Sequence, residues 1–224
     1  VTSPPYDNLR QYNGYSFDFE NVAKELFRVT KDGGVVVWVV GDATIDGSET
    51  GTSFKQALFF KKIGFRLHDT MIYEKNSASY PAHKKSSRYT QIFEYMFVFC
   101  KGNIKTHNLI CDKENKWAGH KDFSGKIKNP VPDFSPRNNI WKYTTSFNDK
   151  TDHPAVFPEE LAQDHILSWS NEGDLVYDPF MGSGTTAKMA HKYNRNWIGS
   201  EISEEYVKIA EERLDPLLRQ LTLF

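Results

Sequence analysis

The chain has few of the features that mark secreted, membrane-spanning or polyanion-coating proteins. Two of its 224 residues are cysteine, Cys100 and Cys111, and they form no Cys-x-x-Cys pair. That scarcity excludes a disulfide framework and fits a reducing, cytoplasmic compartment. No apolar run approaches the ~20 residues that span a bilayer. The longest, residues 35–40, is strand-sized, so no membrane partner is expected. There is no signal-peptide pattern, no internal repeat, and no spacing that suggests a metal site. Net charge is −1, so the chain as a whole carries no signature of a polyanion partner.

What is present suffices for one domain with a sizeable core: 39% hydrophobic and 14% aromatic residues. The charge is unevenly spread. Residues 102–152 hold nine Lys or Arg against six Asp or Glu, a modest basic surplus compatible with phosphate contacts. A solvated surface loop explains the surplus as well.

Periodicity predicts a layered fold. Val22, Leu26 and Val29 repeat at helical spacing within residues 17–30, and Asp32-Gly33-Gly34 stops that helix. The run Val35 to Val40 reads as a strand buried on both faces. A helix over 52–63 closes at Gly64, and strands follow over 65–75 and 92–101, separated by a polar loop. Residues 102–152 show little periodicity and read as an inserted segment without a substantial core. Beyond them come a helix (158–169), a strand (174–178), a helix (184–193) and a strand (197–200). Ser203 then caps a helix to about Leu214, with Pro216 expected to disrupt its tail. Alternating strands and helices imply an α/β Rossmann-like fold with a mostly parallel sheet and helices on both faces.

Two motifs carry chemistry. Near the C-terminal end, a strand delivers the chain to Asp178-Pro179-Phe180-Met181-Gly182-Ser183-Gly184-Thr185-Thr186. Gly182 and Gly184 remove side chains where a ligand approaches the backbone. Thr185 and Thr186 open a helix whose free N–H groups favour an anionic or acceptor group. One βα unit later, Glu201 follows the next strand, where a carboxylate can accept from both hydroxyls of a ribose. The loop also satisfies Gly-x-Gly-x-x-Ala, so taken alone it suits a nicotinamide cofactor as well as S-adenosylmethionine.

At the other end stands Thr2-Ser3-Pro4-Pro5-Tyr6. Two prolines fix φ and expose carbonyls without helical partners. The Ser3 hydroxyl and the Pro4 carbonyl can accept from an amino group and absorb positive charge developing on it. Tyr6 offers a ring face for stacking. A WW-type ligand needs Pro-Pro-x-Tyr, which this string is not.

Together, and in this order, the motifs resemble the DNA amino-methyltransferases, specifically their circularly permuted β group. The resemblance runs from Val1 to about Leu214. It implies transfer of a methyl group from S-adenosylmethionine, without a metal, to the exocyclic nitrogen of cytosine or adenine in double-stranded DNA. The target base would be flipped out of the stack on to Tyr6. The resemblance assigns Ser3, Pro4, Pro5 and Tyr6 to catalysis. It assigns Asp178, Phe180, Gly182, Ser183, Gly184, Thr185, Thr186 and Glu201, with Phe157 ahead of the loop, to the cofactor. It divides the chain into a catalytic half (1–101), an inserted target-recognition segment (102–152) and a cofactor half (153–224). Serine at the first motif position leans toward cytosine-N4. Neither cysteine follows a proline, which disfavours the cytosine-C5 relatives. Members of the family usually have a strand and a Gly-Asp element before the first motif, so the chain reads as the remnant of a longer protein. The alternative is then an inactive nucleic-acid-binding module of the same fold, and a homodimer is a candidate assembly.

Overall fold

The computed structural model describes residues 1–5, 7, 17–76, 87–119, 124–125, 131–144 and 158–220. Its first half runs α1 (Phe19–Val29), β1 (Val35–Val40), β2 (Thr44–Ile45), β3 (Ser48–Glu49), α2 (Thr52–Lys62), β4 (Arg66–Lys75) and β5 (Phe93–Cys100). Then come β6 (Lys113–Glu114), β7 (Phe134–Ser135), β8 (Ile140–Tyr143), α3 (Glu159–Trp169), β9 (Leu175–Asp178), α4 (Thr185–Lys192), β10 (Asn196–Gly199) and α5 (Glu204–Gln220).

β1 organises the core because it is apolar at every position. Val36, Trp38 and Val40 face one side, against Ala23 and Leu26 of α1 and Ala57 and Phe60 of α2. Val37 and Val39 face the other, with Met71 and Tyr73 of β4 and Leu161 of α3. β5 repeats the division. Phe97 and Phe99 join the first cluster and Met96 and Val98 the second. Helices thus cover both faces of the sheet, as the sequence implies. A third cluster joins Ala162 and Ile166 of α3 to Val176 of β9 and to Met189 and Ala190 of α4.

The sheet is mixed. Its four main strands lie in the order β1-β5-β4-β8. β5 runs antiparallel to both neighbours, and β8 runs parallel to β4. β9 and β10 form a separate parallel pair. Between the two sheets sits Thr2, whose N–H donates to the Val37 carbonyl at 3.0 Å and whose carbonyl accepts from Val39 N–H at 2.9 Å.

Several expectations need correction. Residues 140–143, grouped by sequence with the irregular insert, are an edge strand of the main sheet. Trp141 and Tyr143 are buried there and join the core. Four residues alternate too briefly to give a strand signal. Pro216 does not stop α5, which continues to Gln220. Leu214 is buried just before it, and an Arg219–Asp215 ion pair at 2.8 Å spans it. Arg88, from the polar loop between the strands, bonds the Gly47 carbonyl and pairs with Glu49 at 3.7 Å.

Candidate active site

The two motifs meet at one hydrogen bond. The Thr2 hydroxyl donates to Asp178 Oδ1 at 2.6 Å, across 176 positions of sequence. Both residues are about 2% exposed or less, so the bond is shielded from water. The same oxygen of Asp178 accepts from Phe180 N–H at 3.1 Å. Thr186 adds a second tie, its hydroxyl donating to the Val1 carbonyl at 3.1 Å. Ser3, Pro4 and Pro5 therefore leave a strand position beside β1, directly next to the glycine-rich loop. Pro4 is buried. Tyr6 and Phe157 lie outside the described residues.

The loop itself is a closed turn. Gly184 N–H donates to the Met181 carbonyl at 2.8 Å, and Met181 N–H to the Ser200 carbonyl at 3.0 Å. Gly182 and Gly184 both have positive φ, +49° and +81°, a region L side chains rarely adopt. A Cβ on Gly184 would stand 3.1 Å from the Ala210 side chain. This glycine therefore lets α4 pack on α5, whereas the sequence reading gave it only the ligand's approach. α4 starts at Thr185 with no side-chain cap on its first N–H groups, which leaves donors for an acceptor group.

Glu201 stands at the far wall. Its Oε2 accepts from Gly182 N–H at 2.9 Å, and its Oε1 from the N–H groups of Ile202 and Ser203 at 2.9 and 3.0 Å. A carboxylate has about four acceptor positions, so one remains for a hydroxyl. Phe180 packs edge-on against Phe17 at 5.2 Å and against Trp38 at 6.2 Å, closing the space between loop and sheet. These residues fit a nucleoside with an anionic tail: open helix donors at one end, a carboxylate with spare capacity at the other.

Other contributors have no signal in the sequence. Arg213 of α5 reaches into the loop, donating to the carbonyl and hydroxyl of Ser183 at 2.8 Å each and to the Thr185 hydroxyl at 3.2 Å. It also meets Glu159 of α3 at 3.1 Å. Ser183 and Thr185 thus spend their side chains on framing the loop. Gly199 abuts Met181 so closely that a Cβ would fall 1.9 Å from its sulfur. Asp42 accepts from the Ser53 N–H at 2.9 Å and also from its hydroxyl, which anchors the start of α2.

Comparison with known proteins agrees with this geometry. A family model described as DNA methylase matches residues 1–212. The orphan methyltransferase M.BamHII of Bacillus amyloliquefaciens is 59% identical over 96% of this chain and 87% of its own. The type II methyltransferase M.SmaI of Serratia marcescens is 26% identical over 96% of this chain and 82% of its own. Among solved structures, the M1.HpyAVI–SAM complex superposes with a TM-score of 0.64 at 25% identity, covering 95% of this chain and 86% of that one. The cytosine-N4-specific PvuII DNA methyltransferase shares the fold, with a TM-score of 0.70 at 22% identity over 95% of this chain and 77% of its own. The chain belongs to the S-adenosylmethionine-dependent DNA amino-methyltransferases, the family that methylates cytosine-N4 or adenine-N6.

Proposed function

We propose that the protein methylates a specific site in double-stranded DNA, at cytosine-N4 in preference to adenine-N6. The observation that carries this reading is the buried Thr2–Asp178 hydrogen bond, which holds the Ser3-Pro4-Pro5 turn against the glycine-rich loop. S-adenosylmethionine supplies the methyl group from its sulfonium. The uncapped start of α4 receives its carboxylate end, Gly182 and the frame of Ser183, Thr185 and Thr186 line its approach, and Glu201 accepts from its ribose. Phe180 walls the pocket.

The amino nitrogen of a base is conjugated with its ring and is a weak nucleophile. The Ser3 hydroxyl and the Pro4 carbonyl accept from its two hydrogens and draw it toward tetrahedral geometry. Stabilising the charge that develops there, and holding the groups in line, supply the acceleration. Tyr6 stacks on the flipped base. Serine at position 3 supports cytosine. The segment 102–152 reads the sequence through the grooves.

The test is incubation with S-adenosylmethionine and mixed-sequence, unmethylated duplex DNA, followed by digestion and mass spectrometry of the nucleosides. N4-methylcytosine is expected. N6-methyladenine would overturn the base preference while keeping the reaction. A folded protein that binds S-adenosylmethionine and forms neither nucleoside would favour the inactive binding module.

A further inference from the structure

The residue after the first motif is Asp7, and its backbone has φ +54°. A non-glycine residue rarely adopts that conformation, and Asp is among the few that do so readily. The conformation turns the carboxylate back toward the segment that follows β1. Oδ2 accepts from Ala43 N–H at 2.9 Å and from the Thr50 hydroxyl, and Oδ1 accepts from the Thr52 hydroxyl. Burial pushes the carboxyl up. The bonds from Thr50, Thr52 and Ala43, with the charge of Lys55, outweigh that and hold it below the ordinary carboxylate range.

The receiving surface is built independently of Asp7. Thr50 N–H donates to the Ala43 carbonyl at 3.0 Å, closing the base of the β2–β3 hairpin. Asp42 separately holds Ser53 at the start of α2. Three donors therefore converge from a preformed frame on one carboxylate. Thr2 holds the near end of the motif to β1 and Asp178, and Asp7 holds the chain just beyond its far end.

We propose that Asp7 is a positioning residue for methyl transfer, latching the chain beyond the Ser3-Pro4-Pro5 part of the motif to the base of the β2–β3 hairpin and the start of α2. The proposal rests on the reading of that motif as catalytic. Asp7 acts on the placement of the acceptors and not on the reacting atoms. Its loss therefore lowers the rate of the chemical step and spares cofactor affinity, because small misplacements of reacting groups cost about 100-fold in rate. The carboxylate offers acceptor sites to all three donors, whereas an amide offers only one oxygen. Asn at this position keeps part of the latch.

The experiment compares Asp7→Ala, Asp7→Asn, Thr52→Val and the Asp7→Ala/Thr52→Val double variant with the unaltered protein. Thermal unfolding, S-adenosylmethionine affinity by calorimetry, and single-turnover methylation of duplex DNA are read for each. Asp7→Ala is expected to lose about 100-fold in single-turnover rate with cofactor Kd within about threefold of the unaltered protein's. Asp7→Asn falls between, and the double variant is no slower than Asp7→Ala, since both changes break one latch. An Asp7→Ala rate within threefold overturns the proposal, as does a rate loss matched by an equal loss of cofactor affinity or full additivity in the double variant. If Asp7→Ala fails to fold, Thr52→Val decides: a slowed step with normal cofactor affinity supports the latch, and an unchanged rate overturns it. Unaltered protein that transfers no methyl group overturns the functional reading and the latch with it. An active protein indifferent to Asp7 overturns the latch alone.

Discussion

Thr2 shows how much one side chain can connect. Its backbone pairs with β1 and its hydroxyl reaches Asp178. A hydrogen bond to a buried carboxylate contributes about 1.5–3 kcal/mol, and removing the donor takes away one of the partners of that buried group. Thr2→Val keeps the shape and deletes only that donor. It is expected to cost about 2 kcal/mol of stability by chemical denaturation and to weaken S-adenosylmethionine binding about tenfold by calorimetry, with Thr2→Ser restoring both. Unchanged affinity in Thr2→Val would mean that the two motifs touch without depending on each other. The family resemblance implies a cofactor role for Asp178. Its carboxylate accepts from Thr2 and from Phe180 N–H, and no spacing rule links a residue at position 2 to one at 178.

At the level of elements, the β6–β7 hairpin is tied to the body of the molecule through Arg137. Its guanidinium grips Asp112 with Nε at 2.9 Å, and its Nη1 donates to Asp164 of α3 at 2.6 Å. The Tyr143 hydroxyl of β8 donates to the same Asp164 oxygen at 2.8 Å. The bond that Arg137 donates to Asp112 is the first of the contacts that raise its pKa above the usual value, and burial opposes them. This residue was counted among the basic surplus of the insert, yet its charge is spent inside the protein. Lys142 is similarly paired, with Glu74 at 2.8 Å. Arg137→Ala leaves Asp164 buried with one fewer partner and should cost about 3 kcal/mol. Hydrogen exchange should accelerate in residues 110–115 and 133–139 while cofactor affinity holds. Arg137→Lys should not rescue, because only the planar fork serves two carboxylates at once. Retained protection in Arg137→Ala would show that the hairpin is held by other contacts. Helices and long strands were legible from periodicity, to within a residue or two at α1, β1, α2 and β5. β8 was not, because its four residues are selected by the edge of β4 and not by a pattern of their own.

Across the whole molecule, His165 links the sheet to α3 and makes stability depend on pH. It is fully buried, its ring 4.7 Å from Trp141. Trp169 Nε1–H donates to its Nδ1 at 3.2 Å, which leaves the proton on Nε2, facing the Met96 sulfur at 3.2 Å. Burial pushes its pKa from 6.5 down to about 3. Above pH 6.5 the ring is neutral whether the chain is folded or not, and nothing is lost. Between pH 6.5 and about 3 only the unfolded chain takes the proton, so stability falls as pH falls, by up to about 1.4 kcal/mol per unit. Denaturation at pH 7.5, 6.0 and 5.0 should show this slope, and His165→Gln should flatten it. A slope unaltered in the variant would place the sensitivity elsewhere. Among the described residues no helix is long and apolar enough to cross a membrane.

The sequence by itself determined what depends on near neighbours. Helical spacing turned Leu26 of α1 inward, although Val29 of the same pattern is exposed, and an unbroken apolar run made β1 a strand buried on both faces. The glycines at 182 and 184 set a turn that only they adopt without strain, and the order of the two motifs carried the family. Tertiary structure alone decided who stands beside whom. Thr2 meets Asp178, Arg213 frames Ser183, Asp7 finds Thr50 and Thr52, and Trp141 joins the core. The reason is physical. Periodicity and turn chemistry act over a few residues, where the chain's own geometry fixes the outcome. A hydrogen bond across 176 positions exists only after the sheet has brought its two strands together.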